Sequence, residues 1–518
     1  MYKFERKAVK GKSIMDVYKI KDPQHKQNVT PEDWFAAYSH LGSHYPYFLK
    51  GNNPYQFYTQ ISSALKNVPP EKRQIDPVGI IEFINSSYLY GNRTLVSGLL
   101  KTPWMGCPDN NGSMMYAQVP EHGCVRLPVE QIVHEFKEAL RQEALQYLKG
   151  RKTIGILLSG GLDSRIVAGI IRELQLSGDF SGDVIALTWG LPECRDVIYA
   201  QEIARRYCWE WQHFILSAEI LKENITIAGA LGAEFSPLHL HALSKVRQLD
   251  GVDAVIAGSY GDSVGRAEFS GRHVLQLNPV IKGNLNRFGI IKNIVLQANK
   301  ELVLNDAYSY RKYIKRKKEY QYWEMEKQIH YMRRKLQACM SYVAERIPLY
   351  QLFTAPKTFG FMWSLDVNLR DNRVYEGLLP TLPGNIGSLP WARTGRCLGS
   401  EGPSGQAAKL HHQYGLWLRR DLRSLVECLI LSDSIKKLNI FNETALKLLI
   451  KIWPRSNTIT TNSIDEIISW LASLAIFVEQ YSIQPIETIP DSWRDKVNAL
   501  SGFSYALIYQ TVREKLRA

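Results

Sequence analysis

A short apolar run that stops at two glycines is the feature that most constrains the fold of this chain. Residues 153–158 (TIGILL) are rich in β-forming side chains, and Ser159-Gly160-Gly161 ends the run. From Asp163 to Leu174 the apolar residues then follow helical spacing. The pattern predicts a buried strand, a tight glycine loop and a helix that begins at the loop.

The alternation of strand and helix continues along the chain. Residues 183–188 (DVIALT) predict a second strand, residues 193–207 a helix, and residues 209–216 and 252–257 two further strands. Strands and helices that alternate at this spacing form a parallel sheet covered on both faces. We therefore expect an α/β fold with a doubly wound parallel sheet, and a ligand beyond the carboxyl ends of its strands.

The segment from Ser159 to Ser164 (SGGLDS) has the composition of an anion site. Unpaired N–H groups at a helix start, together with the helix dipole, favour a bound anion. Two glycines let the backbone close around phosphate oxygens, and the two serines add hydroxyl donors. Because phosphate would repel Asp163 unless that residue binds a metal, magnesium pyrophosphate fits the segment. The segment lacks the Walker lysine and the G-x-G-x-x-G spacing. A glycine-rich turn without a ligand is the alternative.

On these residues the chain resembles the PP-loop ATP pyrophosphatases, whose signature is SGGLDS after a strand. Other segments between residues 80 and 400 are similar to glutamine-hydrolysing asparagine synthetases. In chain order these segments are residues 90–98 (YGNRTLVSG), 186–204 (beginning ALTWGLP), 236–237 (SP), 255–262 (VIAGSYGD) and 346–348 (RIP). The resemblance implies an adenine nucleotide alpha hydrolase-like fold and ATP-dependent synthetase chemistry. The chain also resembles beta-lactam synthetases and lasso peptide cyclases.

The resemblance assigns individual residues to an ATP site. The residues that would hold the pyrophosphate are Ser159, Gly160, Gly161, Asp163 and Ser164. The residues that would frame the adenosine are Leu158, Trp189, Ala257 and Gly258. Asp163 and Asp262 would hold Mg²⁺, since two carboxylates from separate strand ends can bridge one magnesium on the β- and γ-phosphates. Two aspartates that only cap loops are the alternative.

The sequence departs from the family pattern around the reaction centre. The acidic residues that usually neighbour Asp262 are absent, and the late lysine has no clean counterpart, with Arg373 or Arg393 nearest. Glu345 lies one position from the usual glutamate. We take Asp163, Asp262, Arg373 and Glu345 as the candidate catalytic residues.

The source of nitrogen is a further departure. Glutaminase lobes of that family begin with a nucleophilic cysteine after Met1, whereas this chain has Tyr2 and its first cysteine is Cys107. We therefore expect ammonia or an amine-bearing substrate to attack a small-molecule or peptide carboxylate that ATP has activated, with release of AMP and pyrophosphate. A separate glutaminase stays open as a partner, with a docking surface around Arg316.

The chain is basic, with 64 Lys and Arg residues against 50 Asp and Glu, which suits an anionic partner. Residues 311–335 hold ten Lys or Arg residues interleaved with tyrosine and tryptophan. We interpret this stretch as a solvated helix face, with an RNA or membrane contact as the alternative. Nucleic acid is thus the less favoured partner. Two other functions stay open, a PP-loop enzyme that modifies tRNA and a degenerate nucleotide-binding subunit.

Length and composition predict the organisation of the chain. With 518 residues, 45% of them hydrophobic and 22% charged, it is a globular protein of two or three domains. We predict a small degenerate N-terminal lobe with a linker (1–128), an asparagine synthetase-like ATP-binding domain (129–400) and a helical C-terminal extension (401–518). Thr30-Pro31 predicts a helix start in the first part. The charged N-terminus, the lack of a C-x-x-C pair and the lack of a membrane-length apolar run predict a cytoplasmic protein.

Overall fold

The structure is a computed structural model, and it describes most of the chain. The described residues are 41, 45–51, 55–108, 114–281, 283–401, 407–490 and 492–515. Tyr2 and the helix start expected at Thr30-Pro31 lie outside them.

The first described elements are a small antiparallel sheet, two helices and a hairpin. In chain order they are β1 (Tyr47–Leu49), β2 (Phe57–Tyr58), α1 (Ile61–Lys66), α2 (Pro77–Ser86), β3 (Leu99–Lys101), β4 (Gly106–Pro108) and β5 (Met114–Tyr116). Strand β1 is central and pairs with both β2 and β3, and β4 pairs with β5. Helix α2 begins where it does because the carboxylate of Asp76 accepts the Val78 N–H and Pro77 occupies the first position.

The next part of the chain alternates strands and helices, as expected. Its elements are α3 (Val129–Leu148), β6 (Thr153–Leu157), α4 (Leu162–Leu176), β7 (Asp183–Gly190), α5 (Arg195–Tyr207), β8 (Glu210–Ile215), α6 (Ala218–Ala230), α7 (Leu243–Arg247), β9 (Ala254–Ala257), α8 (Gly261–Gly265), β10 (Glu268–Phe269) and β11 (Arg272–His273). Mostly helical elements follow. These are α9 (Asn293–Tyr308), α10 (Glu319–Glu326), a π-helix (Lys327–Leu336), α11 (Ser341–Ala344), β12 (Leu349–Gln351), α12 (Pro356–Ser364) and α13 (Asn372–Leu378).

Five of the strands form one parallel sheet in the order β12-β9-β6-β7-β8. Strand β6 lies at its centre, and Ile154 pairs with Val184 on one side and Ala254 on the other. The chain leaves β6 towards β7 and β8 and then returns to β9 on the opposite side, so the strand order reverses between β6 and β9. In open α/β sheets a ligand binds beyond the carboxyl ends of the strands at such a reversal. The predicted α/β fold is confirmed.

The C-terminal region is helical, as predicted. Its helices are α14 (Tyr414–Arg419), α15 (Arg423–Ile430), α16 (Asp433–Lys436), α17 (Glu443–Ile452), α18 (Ser463–Gln480) and α19 (Trp493–Lys515). Within the described residues, no helix combines the length and the apolar composition needed to cross a membrane.

One hydrophobic core, which we call the shared core, joins the N-terminal elements to the C-terminal helices. Its buried members include residues of α1 and α2 together with residues of α17 and α18. Phe83 stacks on Trp470, with ring centroids 4.0 Å apart and the planes 8° from parallel. Trp470 Nε1 also donates to the carbonyl of Ala233, which ties α18 to the loop after α6. The domain boundaries proposed from the sequence stay a prediction.

The expectation that residues 311–335 form a solvated helix face is wrong for their second half. Arg333 and Arg334, in the π-helix, are each only 1% exposed. Arg334 donates to the carbonyls of Gly91 (2.9 Å) and Arg93 (2.8 Å), and Arg333 donates to Asn92 Oδ1 (3.0 Å). A guanidinium has five donors, so it can be buried where several carbonyls converge. These arginines therefore anchor the segment after α2.

Candidate active site

The loop between β6 and α4 is closed by its own serines. Ser164 Oγ accepts the Ser159 N–H at 3.1 Å and lies 3.1 Å from Ser159 Oγ. The Gly161 N–H donates to Ser159 Oγ at 3.1 Å. Gly161 is the N-cap of α4, and no side chain of the described residues caps that helix start. The first N–H groups of α4 and its dipole therefore form a site for an anion.

Neighbouring segments hold this loop from outside. The Gly160 carbonyl accepts from Ala392 N (3.1 Å) and from Arg165 Nη2 (3.2 Å), and its N–H donates to the carboxylate of Asp196. Arg165 is fully buried and also donates to the Leu389 carbonyl at 2.7 Å. A Cβ on Gly160 would lie 2.8 Å from that of Ala392, so only glycine fits there. The loop is thus rigidly supported.

Asp163 and Asp262 meet between the carboxyl ends of β6 and β9. Asp163 is the second residue of α4, and Asp262 is the second residue of α8. Loss of hydration and the neighbouring carboxylate of Asp262 raise the pKa of Asp163 well above its ordinary value. Two glycines allow the approach: a Cβ on Gly258 would lie 3.0 Å from the Asp163 carbonyl oxygen, and one on Gly261 would overlap Asp163 Oδ1. The predicted aspartate pair is therefore brought together.

Each aspartate of the pair has one oxygen bound by a protein donor. The Tyr375 hydroxyl donates to Asp163 Oδ1 at 2.7 Å. Arg266 Nη2 donates to Asp262 Oδ1. The two carboxyl groups also hydrogen-bond each other, so a cation bound between them would take the place of that bond.

Arg266 is the centre of a buried network beside the pair. It is 1% exposed, and its Nη1 donates to Glu268 Oε2 (3.1 Å) and to Asn372 Oδ1. Its guanidinium lies over the rings of Tyr375 (4.9 Å) and Trp391 (5.2 Å). Burial opposes the charge of Arg266, but the carboxylates of Asp262 and Asp163 outweigh burial and raise its pKa. The arginine is therefore charged.

Arg393, one of the two arginines considered for the late basic residue, belongs to the same network. It pairs with Glu268 Oε1 and lies 5.2 Å from the centre of the Trp391 ring. Arg373 is 52% exposed and pairs with Asp371. Glu345, at the end of α11, pairs with Arg247 at 3.0 Å. Within the described residues, the contacts of Arg373 and Glu345 include neither aspartate of the pair, and their catalytic roles stay predictions.

The four residues expected around the adenosine lie on neighbouring strands. Leu158 directly follows β6, and Trp189 is near the end of β7. Ala257 ends β9, and Gly258 directly follows it. The Trp189 ring is parallel to that of His241 within 16°, at 5.8 Å. The stack of rings continues from His241 to Tyr414 and His412. The structure thus brings the four residues to one edge of the sheet.

The donor set of the aspartate pair fits Mg²⁺. In the described part of the chain, no three or more His, Cys, Asp or Glu residues are grouped to hold a metal ion. Mg²⁺ prefers oxygen ligands, and proteins usually bind it through one or two carboxylates while water and substrate phosphates complete the octahedron. Two carboxylate oxygens beside an anion-binding loop match that requirement.

Residues 135–349 match the asparagine synthase family model. This segment is similar to asparagine synthase domains, of a family whose members are generally ATP-dependent ligases, and the resemblance drawn from the sequence is confirmed there. The match spans less than half of the chain but contains the loop after β6 and both aspartates. No curated protein matches the chain. Among solved structures, U34-tRNA thiolase NcsA from Methanococcus maripaludis is similar, with 17% identity over 38% of this chain and 71% of that one, and a TM-score of 0.21.

Sequence reasoning missed the partners of the aspartates. Arg266 follows Asp262 by four residues, a spacing that places two side chains on one face of a helix, so the ion pair could have been inferred. Tyr375 and Trp391 lie beyond the asparagine synthase domain, and nothing near them in the sequence connects them to the loop after β6.

We expect Gly261→Ala to lower turnover by between about tenfold and 10²-fold, because the new methyl group would displace the Asp163 carboxylate and small misplacements at a reaction centre are costly. Gly360→Ala in α12 is the matched control, since its Cβ would make an ordinary 3.5 Å contact with Pro120. AMP formation by both variants, with circular dichroism to check folding, is the measurement. Equal rates would show that the close approach has no catalytic role.

Proposed function

We propose that this chain is an ATP-dependent ligase that forms an amide. It would activate a carboxylate as an acyl-adenylate, which ammonia or an amine then attacks, with release of AMP and pyrophosphate. The observation that carries the proposal is the pairing of Asp163 with Asp262 beside the uncapped start of α4, inside an asparagine synthase domain.

The positions of the residues around the loop after β6 suggest a separate role for each group in binding ATP. The N–H groups at the start of α4, with Ser159 and Ser164, would bind the β- and γ-phosphates, which leaves the α-phosphorus open to the carboxylate. Trp189 would lie against the adenosine. Asp163 and Asp262 would hold Mg²⁺, which when bound neutralises the charge that develops on the pyrophosphate. Because Arg266 lies beside Asp262, its positive charge would also be near the leaving group.

Ammonia or a substrate amine is the proposed nucleophile. A cysteine that hydrolyses glutamine needs a readily formed thiolate. Two buried cysteines do not meet this requirement, since burial raises the pKa of Cys194 and raises that of Cys339 to about 12. A separate glutaminase stays compatible with the proposal. Arg316, named above as a docking residue, donates to the Pro120 carbonyl at 2.8 Å, so the more exposed lysines around it would carry such a contact.

The products distinguish this reaction from other uses of ATP. We expect the purified protein, given ATP labelled at the α- and γ-phosphates and a panel of carboxylates with ammonia, to release AMP and pyrophosphate. The active carboxylate should also support pyrophosphate–ATP exchange and form a hydroxamate when hydroxylamine replaces ammonia. Release of ADP and phosphate would contradict the proposal. Binding of ATP without turnover on any substrate would favour a degenerate nucleotide-binding subunit.

A PP-loop enzyme that acts on tRNA is the second candidate, and an exposed basic loop supports it. Before α10 lie four exposed lysines, Lys312, Lys315, Lys317 and Lys318. Tyr313 beside them is 84% exposed, and Tyr116 near it is 68% exposed. Cations together with exposed rings bind single-stranded nucleic acid through phosphate contacts and base stacking. AMP release that requires tRNA would select this function over the first.

A further inference from the structure

The oxygens of the aspartate pair are unequally available. Tyr375 donates to one oxygen of Asp163, and Arg266 donates to one oxygen of Asp262. The two carboxyl groups also hydrogen-bond each other, so a divalent cation that replaced that bond would meet one oxygen of each carboxylate. Mg²⁺ takes six oxygen ligands, so the remaining four must come from elsewhere.

Arg266 is fixed in this position. Three acceptors hold its guanidinium, and the rings of Tyr375 and Trp391 flank it. At 1% exposure it has no space to swing into solvent. Its contact with Asp262 is therefore a lasting part of the site.

The fixed positive charge of Arg266, in contact with Asp262, opposes the binding of a divalent cation to the same carboxylate. Like charges a few ångströms apart repel strongly in a partly desolvated site. Phosphate groups reverse this balance, because they add negative charge and supply the missing oxygen ligands. The aspartates alone should thus be a poor cation site, and the aspartates with a polyphosphate a good one.

We propose that Arg266 is a resident counter-ion of the aspartate pair, which suppresses binding of a free divalent cation and makes the cation enter the site with the nucleotide. The inference rests on the proposed function, because it takes the pair as the magnesium site of an ATP-dependent enzyme. It adds a role for a residue outside the predicted set.

Binding of Mn²⁺ alone to the full chain, followed by electron paramagnetic resonance, tests the inference without any reaction. The wild-type protein should bind Mn²⁺ weakly. Arg266→Met and Arg266→Gln should each bind it at least about tenfold more tightly, because a positive charge is removed and an oxygen of Asp262 is freed. Arg266→Lys keeps the charge and should stay near the wild-type affinity. A residue that only supported the fold would not increase cation affinity when removed.

Arg393→Met is the matched control. Arg393 shares Glu268 and Trp391 with Arg266, but its contacts within the described part of the chain include neither aspartate, so its removal should leave Mn²⁺ affinity unchanged. Thermal unfolding checks that each variant is folded. If Arg266→Met does not fold, Arg266→Gln replaces it in the test, because glutamine keeps hydrogen-bond donors for Glu268 and Asn372. Unchanged or weaker Mn²⁺ binding by a folded neutral variant overturns the inference.

A second titration separates this inference from the proposed function. The wild-type protein should bind Mn²⁺ much more tightly in the presence of a non-hydrolysable ATP analogue than in its absence. The increase in Mn²⁺ affinity that the analogue causes should be smaller in Arg266→Gln. Equal gains in both proteins would overturn the role of Arg266 and leave the ATP site in place. If the wild-type protein binds no Mn²⁺ even with the analogue, the proposed function fails, and this inference fails with it.

Discussion

Asp163→Asn and Asp262→Asn are each expected to lower ATP-dependent turnover by roughly 10²-fold or more. Each aspartate would offer one oxygen to the cation, so either change removes one of two anionic ligands at the phosphate site. The amide keeps the size of the side chain, and the fold should persist. AMP formation at saturating magnesium and ATP is the measurement.

The thermal stability of the two aspartate variants shows whether lost turnover reflects a lost catalytic group or an unfolded protein. Because the pKa of Asp163 is raised by lost hydration and by Asp262, its ionised form is costly in the folded protein, and Asp163→Asn should unfold at the same temperature as wild type or higher. Asp433→Asn is the control, since this aspartate is 98% exposed and its ion pair with Lys436, at 3.5 Å, lies on the surface. Near-normal turnover by both site variants would remove the metal assignment.

Arg370→Met is expected to destabilise the protein by about 3–5 kcal/mol, because it leaves a buried charge without its partner. Glu324 is fully buried, and Arg370 holds both of its oxygens, one through Nη1 at 3.0 Å. His122 Nε2 lies 3.0 Å from the same carboxylate. Burial opposes ionisation of Glu324, but Arg370 and His122 outweigh burial and lower its pKa to about 2.

Arg126→Met supplies the comparison for that variant. Arg126 is 80% exposed and pairs with Asp366 at 2.9 Å, so its removal should cost no more than about 1 kcal/mol. Urea unfolding of the two variants and the wild type gives both values under one set of conditions. Similar small losses for both would mean that Glu324 becomes protonated or hydrated at little cost once Arg370 is gone.

The sequence predicted well what depends on local pattern. Strand β6, the loop after it and helix α4 follow from an apolar run, two glycines and a helical repeat, all within about 25 consecutive residues. Apolar residues at helical spacing over residues 129–148 likewise predict the helix that the structure has over Val129–Leu148. The second aspartate came from family resemblance, because nothing in its own spacing marks it.

The sequence could not predict what long-range packing decides. Tyr375 is 212 positions from Asp163, and Arg333 is 241 positions from Asn92. Both contacts exist only because the sheet and the helices around it are assembled. The basic stretch was misread for the same reason, since a run of arginines has the same sequence pattern whether carbonyls or water satisfy it.

The shared core has a consequence for how the chain is made. Phe83 leaves the ribosome long before Trp470, its stacking partner, and at roughly 5–20 residues per second the interval is tens of seconds. During that time the apolar face of α2 lacks its C-terminal cover and is a target for chaperones or for aggregation. A fragment that stops near residue 400 would retain both aspartates and leave that face open permanently. Correct assembly of the first described helices thus depends on a late event in translation, whereas both aspartates are synthesised well before it.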